Sequence, residues 1–123
     1  MSDFKDLAER YIATWNEPDA AARRAAVASL WTDDGTYTDP LASVAGHDAI
    51  AALIAGAREQ FPGFTFRLLG PVDGHHDIGR FAWELVPEAG GESVVEGSDV
   101  AVVGGDGRIK GVFGFLDKVP ASQ

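Results

Sequence analysis

The sequence predicts an α+β domain in which three N-terminal helices pack on a strongly curved antiparallel β-sheet that forms a cone-shaped pocket. Before position 63, apolar residues recur at three- and four-residue spacing, as they do in amphipathic helices. After position 63, four stretches alternate between apolar and polar residues, as strands do. Helices segregated from hairpin-linked strands are typical of the α+β class. Gly97, Gly111 and Gly114 fall inside the predicted strands, where glycine marks bends or bulges and so favours curvature.

The composition is that of one ordinary globular domain spanning residues 1–123. Of its 123 residues, 46% are hydrophobic and 24% are charged, which is enough to build a single core. The net charge of −9 argues against nucleic-acid or anionic membrane partners. The chain has no cysteine, and its N-terminus lacks the basic start and apolar run of a secretory signal. We therefore expect a cytoplasmic protein that contacts neither nucleic acid nor membrane.

The first two helices follow from the spacing of apolar residues and from capping signals. The first helix carries an apolar stripe formed by Phe4, Leu7, Ala8, Tyr11, Ile12 and Trp15. Tyr11 and Trp15 therefore point inward, and each has a polar tip that needs a partner when buried. Pro18 ends this helix and Asp19 can cap the second one. The second helix runs over residues 20–30 with Ala22, Ala26 and Leu30 inward.

A short strand and a third helix complete the first half of the chain. A turn at residues 33–35 precedes a strand over residues 36–39. Pro40 holds Asp39 in an extended conformation, on the same side of the strand as Tyr37. The third helix presents Ile50, Leu53, Ile54, Ala57 and Phe61 on one face and ends at residues 62–63.

The strand over residues 94–103 places one acid in an apolar row. The four later strands are predicted at residues 64–69, 80–86, 93–103 and 109–116, joined as an antiparallel meander. On the third of these, Asp99 shares a face with Val95, Gly97, Ala101 and Val103. An ionised carboxylate there is costly unless it is paired, so Asp99 has a partner, stays protonated or lines a cavity. The alternatives are a purely structural hydrogen bond or a strand edge in water.

Three acid–base side chains point toward the same interior, namely Tyr11, Asp39 and Asp99. Two carboxyl groups in one apolar pocket have pKa values pushed apart, which gives one base and one neutral donor. A mostly apolar cavity with a few convergent polar groups is typical of a small-ligand site. The predicted ligand contacts are Trp15, Tyr37, Phe61, Trp83, Phe113 and Phe115. The aromatic residues Trp15, Trp31, Trp83, Phe113 and Phe115 can each be core or pocket wall, and together they favour a flat, apolar or polycyclic ligand.

Histidine and glycine clusters point to turns. His75 and His76 lie at a predicted hairpin, and the further ligands of a metal site are not evident at suitable spacing, so no metal is expected. Local turn hydrogen bonding is the main interpretation, and an acid–base role for His76 at the pocket mouth is the alternative. The glycine-rich residues 104–107 lack the Lys-Ser/Thr of a phosphate-binding loop. We therefore expect no cofactor.

The chain resembles the nuclear transport factor 2-like superfamily, and within it the SnoaL-like polyketide cyclases and ketosteroid isomerases. The resemblance is carried over the whole chain by five segments, residues 9–11, 31–40, 46–50, 97–99 and 106–115. It implies a curved sheet packed by three helices, commonly paired as a homodimer. It also implies that Asp39 matches the general base of the isomerases, Tyr11 their oxyanion-hole phenol, and Asp99 the protonated acid of that hole.

The resulting hypothesis is a small cofactor-independent enzyme that acts on a hydrophobic carbonyl compound through an enolate. Asp39 would remove a proton, while Tyr11 and a protonated Asp99 would stabilise the enolate. Double-bond isomerisation and intramolecular aldol cyclisation both fit. The alternatives are a non-catalytic dimeric binding or accessory domain for a small apolar ligand, and a pocket filled by side chains in a protein that works through its sheet surface.

Overall fold

The computed structural model describes residues 3–120, which form helices in the first half of the chain and a sheet mainly in the second. The elements are α1 (Phe4–Asn16), α2 (Ala20–Leu30), β1 (Trp31–Thr38), β2 (Ser43–Ala45), α3 (His47–Gln60), β3 (Phe64–Leu68), β4 (Asp73–His75), β5 (Ile78–Pro87), β6 (Val95–Val103) and β7 (Ile109–Lys118). The predicted α+β class is confirmed. Among the described residues, no helix is both long enough and apolar enough to span a bilayer.

Side-chain caps begin the first two helices. The carboxylate of Asp3 accepts a hydrogen bond from the backbone of Asp6 at the start of α1, and Asp19 does the same for Ala22 at the start of α2. The predicted inner face of α1 is confirmed, because Leu7, Ala8, Tyr11, Ile12 and Trp15 are all buried.

The inner face of α2 differs from the predicted one. Arg23, Val27 and Leu30 are buried, whereas Ala22 is exposed and Ala26 only partly buried. The larger side chain of Val27 removes more apolar area from water than an alanine does, and this decides how an alanine-rich helix is rotated. The Arg23 guanidinium donates a hydrogen bond to the carbonyl of Glu17 at 2.7 Å, so one of its buried N–H groups has a partner.

The strands form one open sheet in the order β2-β1-β7-β6-β5-β3, with β4 also pairing with β5. The antiparallel pairing of β3, β5, β6 and β7 matches the prediction. β1 runs parallel to β7, however, so the sheet is mixed rather than wholly antiparallel. Most of the chain separates β1 from β7, so no tight turn forces them to be antiparallel.

β1 is also longer than predicted. It begins at Trp31, and the predicted turn at residues 33–35 lies inside it. The pairing with β7 jumps from Trp31 opposite Ile109 to Thr36 opposite Gly111, so a bulge accommodates the turn-forming residues within the strand. Asp39 follows the strand directly, at the strand end that it was predicted to occupy.

A second bulge lies at the start of β7. Val103 pairs with Ile109, while the next residue back along β6, Val102, pairs with Gly111. Lys110 is therefore an extra residue without a partner on β6. Glycine at position 111 is consistent with the predicted link between strand glycines and bulges.

This bulge reverses the facing of the rest of β7. Val112 is fully buried and Leu116 lies on the inner side, whereas Phe113 and Phe115 are 44% and 62% exposed on the outer face of the sheet. One extra residue shifts the alternation of side chains by one position. The prediction that Phe113 and Phe115 contact the ligand is therefore wrong.

The core lies between the inner face of the sheet and the helices. Packed side chains from α1, α3 and β1 meet those of β5, β6 and β7, and the largest fully buried apolar ones are Trp31, Tyr11, Ile50, Ile54 and Ile109. On β6, burial alternates along the whole strand, which confirms the predicted inward row that contains Asp99. Several of these core side chains also line the candidate site described below.

Candidate active site: an apolar cavity with two carboxyl groups

A cavity of about 590 Å³ opens between α1, α3 and the inner face of the sheet. Its walls are mainly apolar, and its polar side chains are few. The lining residues that belong to the predicted site are Tyr11, Trp15, Tyr37, Asp39, Phe61, Trp83 and Asp99. Seven of the predicted positions therefore surround one space.

Tyr11 and Asp99 form a buried pair on the inner wall. The Tyr11 hydroxyl on α1 donates a hydrogen bond to Oδ2 of Asp99 on β6 at 2.8 Å, and both residues are 2% exposed. Gly114 on β7 makes room for this pair, because a Cβ at that position would lie 2.6 Å from Oδ1 of Asp99. The partner that Asp99 needs is thus supplied by the phenol that was predicted to point toward the same interior.

Burial raises the pKa of Asp99 to about 6, and the charge of Asp39 adds to the rise while hydrogen bonding from Tyr11 opposes it. Burial also raises the pKa of Tyr11, so this phenol keeps its proton. In the free protein, protonated Asp99 therefore predominates only below about pH 6. Protonated Asp99, the expected proton donor of the free protein, is therefore confined to that pH range. Near neutral pH most Asp99 is ionised and accepts the hydrogen bond from the Tyr11 hydroxyl.

Asp39 is held in a single orientation at the end of β1. Its Oδ2 accepts a hydrogen bond from the Tyr37 hydroxyl at 2.7 Å, and its Oδ1 accepts from the backbone of Leu41 at 2.8 Å and Ala42 at 2.9 Å. Burial raises the pKa of Tyr37, so this phenol remains a donor. A carboxylate has about four acceptor positions, so roughly one remains for a ligand.

The two carboxyl groups border the same stretch of β7. A Cβ placed on Gly114 would lie 2.6 Å from Oδ1 of Asp99 and 3.5 Å from Cβ of Asp39. Asp99 is buried and has a raised pKa, whereas Asp39 is only partly buried and is held by three donors. The cavity therefore contains two carboxyl groups in different environments, which is the arrangement that separates a base from a neutral acid.

Aromatic rings form much of the cavity wall. The ring centroids of Trp15 and Tyr37 are 5.7 Å apart, and Phe66 on β3 packs edge-on against both Trp15 and Trp83. Gly97 leaves space for the indole of Trp83, because a Cβ there would overlap that ring.

Sequence reasoning did not assign Phe66 and Leu116 to the site, although both line the cavity. The alternation of residues 64–69 was a signal for Phe66, since it placed this ring on one face of its strand. Leu116 could not be found in this way, because the bulge at Lys110 changes which residues of β7 face inward.

His76 is not at the mouth of the cavity. It occupies the turn between β4 and β5 with φ of 52°, and its side chain is exposed. The cavity residues of β5 are Trp83 and Leu85, which lie roughly 16–23 Å further along that strand at the usual rise per residue. His76 is therefore a turn residue, as predicted, and the alternative acid–base role at the mouth is wrong.

The chemistry available to this site is proton transfer and hydrogen bonding. A carboxylate at the rim, a buried carboxyl–phenol pair and an apolar wall can remove a proton from a carbon acid and hold the resulting negative oxygen. Within residues 3–120, no group of three or more His, Cys, Asp or Glu side chains is arranged to bind a metal ion.

Comparison with known proteins identifies the family of this chain. A family model described as a SnoaL-like domain matches residues 8–112. A proposed isomerase of the SnoaL-like family from Agrobacterium tumefaciens str. C58 is 43% identical, with 91% of this chain and 95% of that chain covered and a TM-score of 0.87. No curated protein matches the chain.

More distant structures share the fold. An NTF2-like protein of unknown function from Exiguobacterium sp. 255-15 is 20% identical, covering 90% of this chain and 98% of that one, with a TM-score of 0.71. A proposed polyketide cyclase from Sinorhizobium meliloti is 16% identical, covering 89% and 93%, with a TM-score of 0.68. The chain therefore belongs to the SnoaL-like domain family.

Proposed function

We propose that this protein is a cofactor-independent acid–base enzyme that converts a hydrophobic carbonyl compound through an enolate. The observation that supports it is the presence of two carboxyl groups in different environments, Asp39 and Asp99, within one apolar cavity. The family relationship agrees with this chemistry, since related proteins are named as a proposed isomerase and a proposed polyketide cyclase.

Asp39 is the general base in this proposal. Its carboxylate takes a proton from the carbon next to the carbonyl group, and the electron pair of the broken C–H bond moves to the carbonyl oxygen to give the enolate. The hydrogen bonds from Tyr37 and the backbone of Leu41 and Ala42 fix the carboxylate, so its remaining acceptor position has a defined direction.

Tyr11 and Asp99 stabilise the enolate oxygen. When Asp99 is protonated, the pair carries two O–H donors, and the hydrogen bond between them needs only one. The second donor is then available to a ligand oxygen in a place from which water is largely excluded. A ligand that fills the cavity removes more water from Asp99 and so favours the protonated form.

Two products are consistent with this enolate. In an isomerisation, protonated Asp39 returns its proton to a different carbon of the same molecule, so the double bond moves. In an intramolecular aldol cyclisation, the enolate carbon forms a bond to a second carbonyl carbon, and the oxygen of that carbonyl takes up the proton. Both reactions leave the protein unchanged and need no redox partner.

Hydrogen–deuterium exchange into 1-tetralone tests the proposal without knowledge of the natural substrate. This flat ketone has exchangeable protons next to its carbonyl, and we expect the protein to accelerate their loss from the proton NMR spectrum in D₂O. Addition of 2-naphthol should inhibit the exchange by occupying the same cavity. Tight binding of 2-naphthol without any acceleration would contradict the enzyme and support the alternative, a non-catalytic binding domain.

We propose in addition that the protein pairs as a homodimer through the outer face of its sheet. Phe113 and Phe115 expose neighbouring apolar surface there, which is unusual for a face left in water. By analytical ultracentrifugation, we expect a dimer that Phe115→Glu weakens at least tenfold. Ala25→Glu, which adds the same charge to the exposed side of α2, should leave it intact. A wild-type monomer, or a dimer unaffected by Phe115→Glu, would contradict this interface.

A further inference from the structure

The indole nitrogen of Trp15 is a buried donor that lacks a hydrogen-bond partner among residues 3–120. Trp15 is only 8% exposed, so water does not readily satisfy this N–H group. Buried polar groups nearly always have a partner, and leaving one without costs free energy of folding. An unpaired donor that borders a ligand cavity is therefore evidence of a contact that a ligand supplies.

The surroundings of Trp15 keep its indole at the cavity wall. Its ring centroid lies 5.7 Å from that of Tyr37, 5.4 Å from that of Phe66 and 6.1 Å from that of Tyr11. Contacts on three sides restrict the ring to one orientation. Its N–H group acts on the Tyr11 phenol, where it opposes the rise in pKa that burial causes, but it forms no hydrogen bond to that hydroxyl or to another described group.

The phenol donors of the same cavity are already committed. The hydroxyl of Tyr11 donates to Asp99, and that of Tyr37 donates to Asp39. When both carboxyl groups are ionised, neither phenol proton is free for a ligand. Among the described buried side chains of the cavity, the indole of Trp15 then has the uncommitted hydrogen.

We propose that Nε1–H of Trp15 donates a hydrogen bond to a neutral oxygen of the ligand and so selects oxygen-bearing ligands over hydrocarbons of the same shape. This inference rests on the proposed function, because it concerns the same cavity. It adds a second donor position to the one formed by Tyr11 and Asp99. Unlike that pair, the indole donates whether Asp99 is protonated or ionised.

Calorimetric titration at pH 8 with 1-tetralone and tetralin tests the inference. The two probes have the same ring skeleton, and only 1-tetralone has an oxygen. We expect the wild-type protein to prefer 1-tetralone, and Trp15→Phe to weaken its binding about fivefold to tenfold while changing tetralin binding less than twofold. The assay measures equilibrium binding, so it can be read even if the protein exchanges no protons.

Trp31→Phe is the matched control. Its indole is also buried, but its nitrogen donates to the carbonyl of Thr36 at 3.3 Å. Loss of that N–H should change neither affinity by more than twofold. Equal weakening of both probes by Trp15→Phe, or no preference for 1-tetralone in the wild type, would overturn the inference.

The indole resonance of Trp15 in the wild-type protein gives a test that does not depend on the folding of a variant. In ¹⁵N–¹H NMR spectra, 1-tetralone should shift this N–H signal downfield, whereas tetralin should not. A signal that both probes move equally, or that neither moves, would overturn the inference.

Discussion

Replacing Asp39 by Asn should slow the exchange of 1-tetralone protons by about 10²–10⁴-fold, the usual contribution of a positioned general base. An amide cannot accept a proton from carbon at neutral pH. The substitution is mild for the structure, because the side-chain oxygen can still accept from the backbone of Leu41 and Ala42, and the Tyr37 hydroxyl can rotate to accept from the amide. NMR exchange rates in D₂O measure the effect.

Two controls separate loss of the base from loss of the cavity. Binding of 2-naphthol to the Asp39→Asn variant should remain within about threefold of wild type, since the wall and the Tyr11–Asp99 pair are untouched. Asp34→Asn makes the same chemical change at an exposed position on β1 and should exchange protons at the wild-type rate. If Asp39→Asn exchanges as fast as wild type, Asp39 is not the base.

Replacing Asp99 by Asn should make the free energy of unfolding depend less on pH. The folded-state pKa of about 6 lies above the ordinary value of 3.8, so between these values the folded state binds more protons than the unfolded state. The stabilising contribution of Asp99 is thus complete below pH 3.8 and is lost as the pH rises through about 6. Relative to Asp99→Asn, the wild type should lose about 2–3 kcal/mol of unfolding free energy between pH 4 and pH 8.

Urea unfolding of both proteins at several pH values measures this difference. Any constant effect of exchanging an oxygen for an amide nitrogen cancels, because only the change with pH is compared. Asp34→Asn serves again as the control, because it makes the same exchange at an exposed position. A constant difference between wild type and Asp99→Asn would show that Asp99 titrates normally and cannot serve as a neutral donor.

The class of the fold and the positions of the three acid–base groups follow from local patterns in the amino-acid sequence. Helical and strand periodicities are local, so the inward direction of Tyr11 on α1 and of Asp99 on β6 could be read without knowing the partners of either element. Asp39 was placed by the proline that follows it, which is also a local constraint. The resemblance to the SnoaL-like family then supplied the roles that these groups were expected to have.

The register of the strands and the pairing of the side chains depend instead on contacts between elements. The bulge at Lys110 depends on the pairing of β6 with β7, and it turned Phe113 and Phe115 outward against their predicted direction. The raised pKa of Asp99 and the unpaired N–H of Trp15 likewise arise from burial among residues that are distant in sequence. Burial and register are properties of contacts between elements, so periodicity within one element cannot determine them.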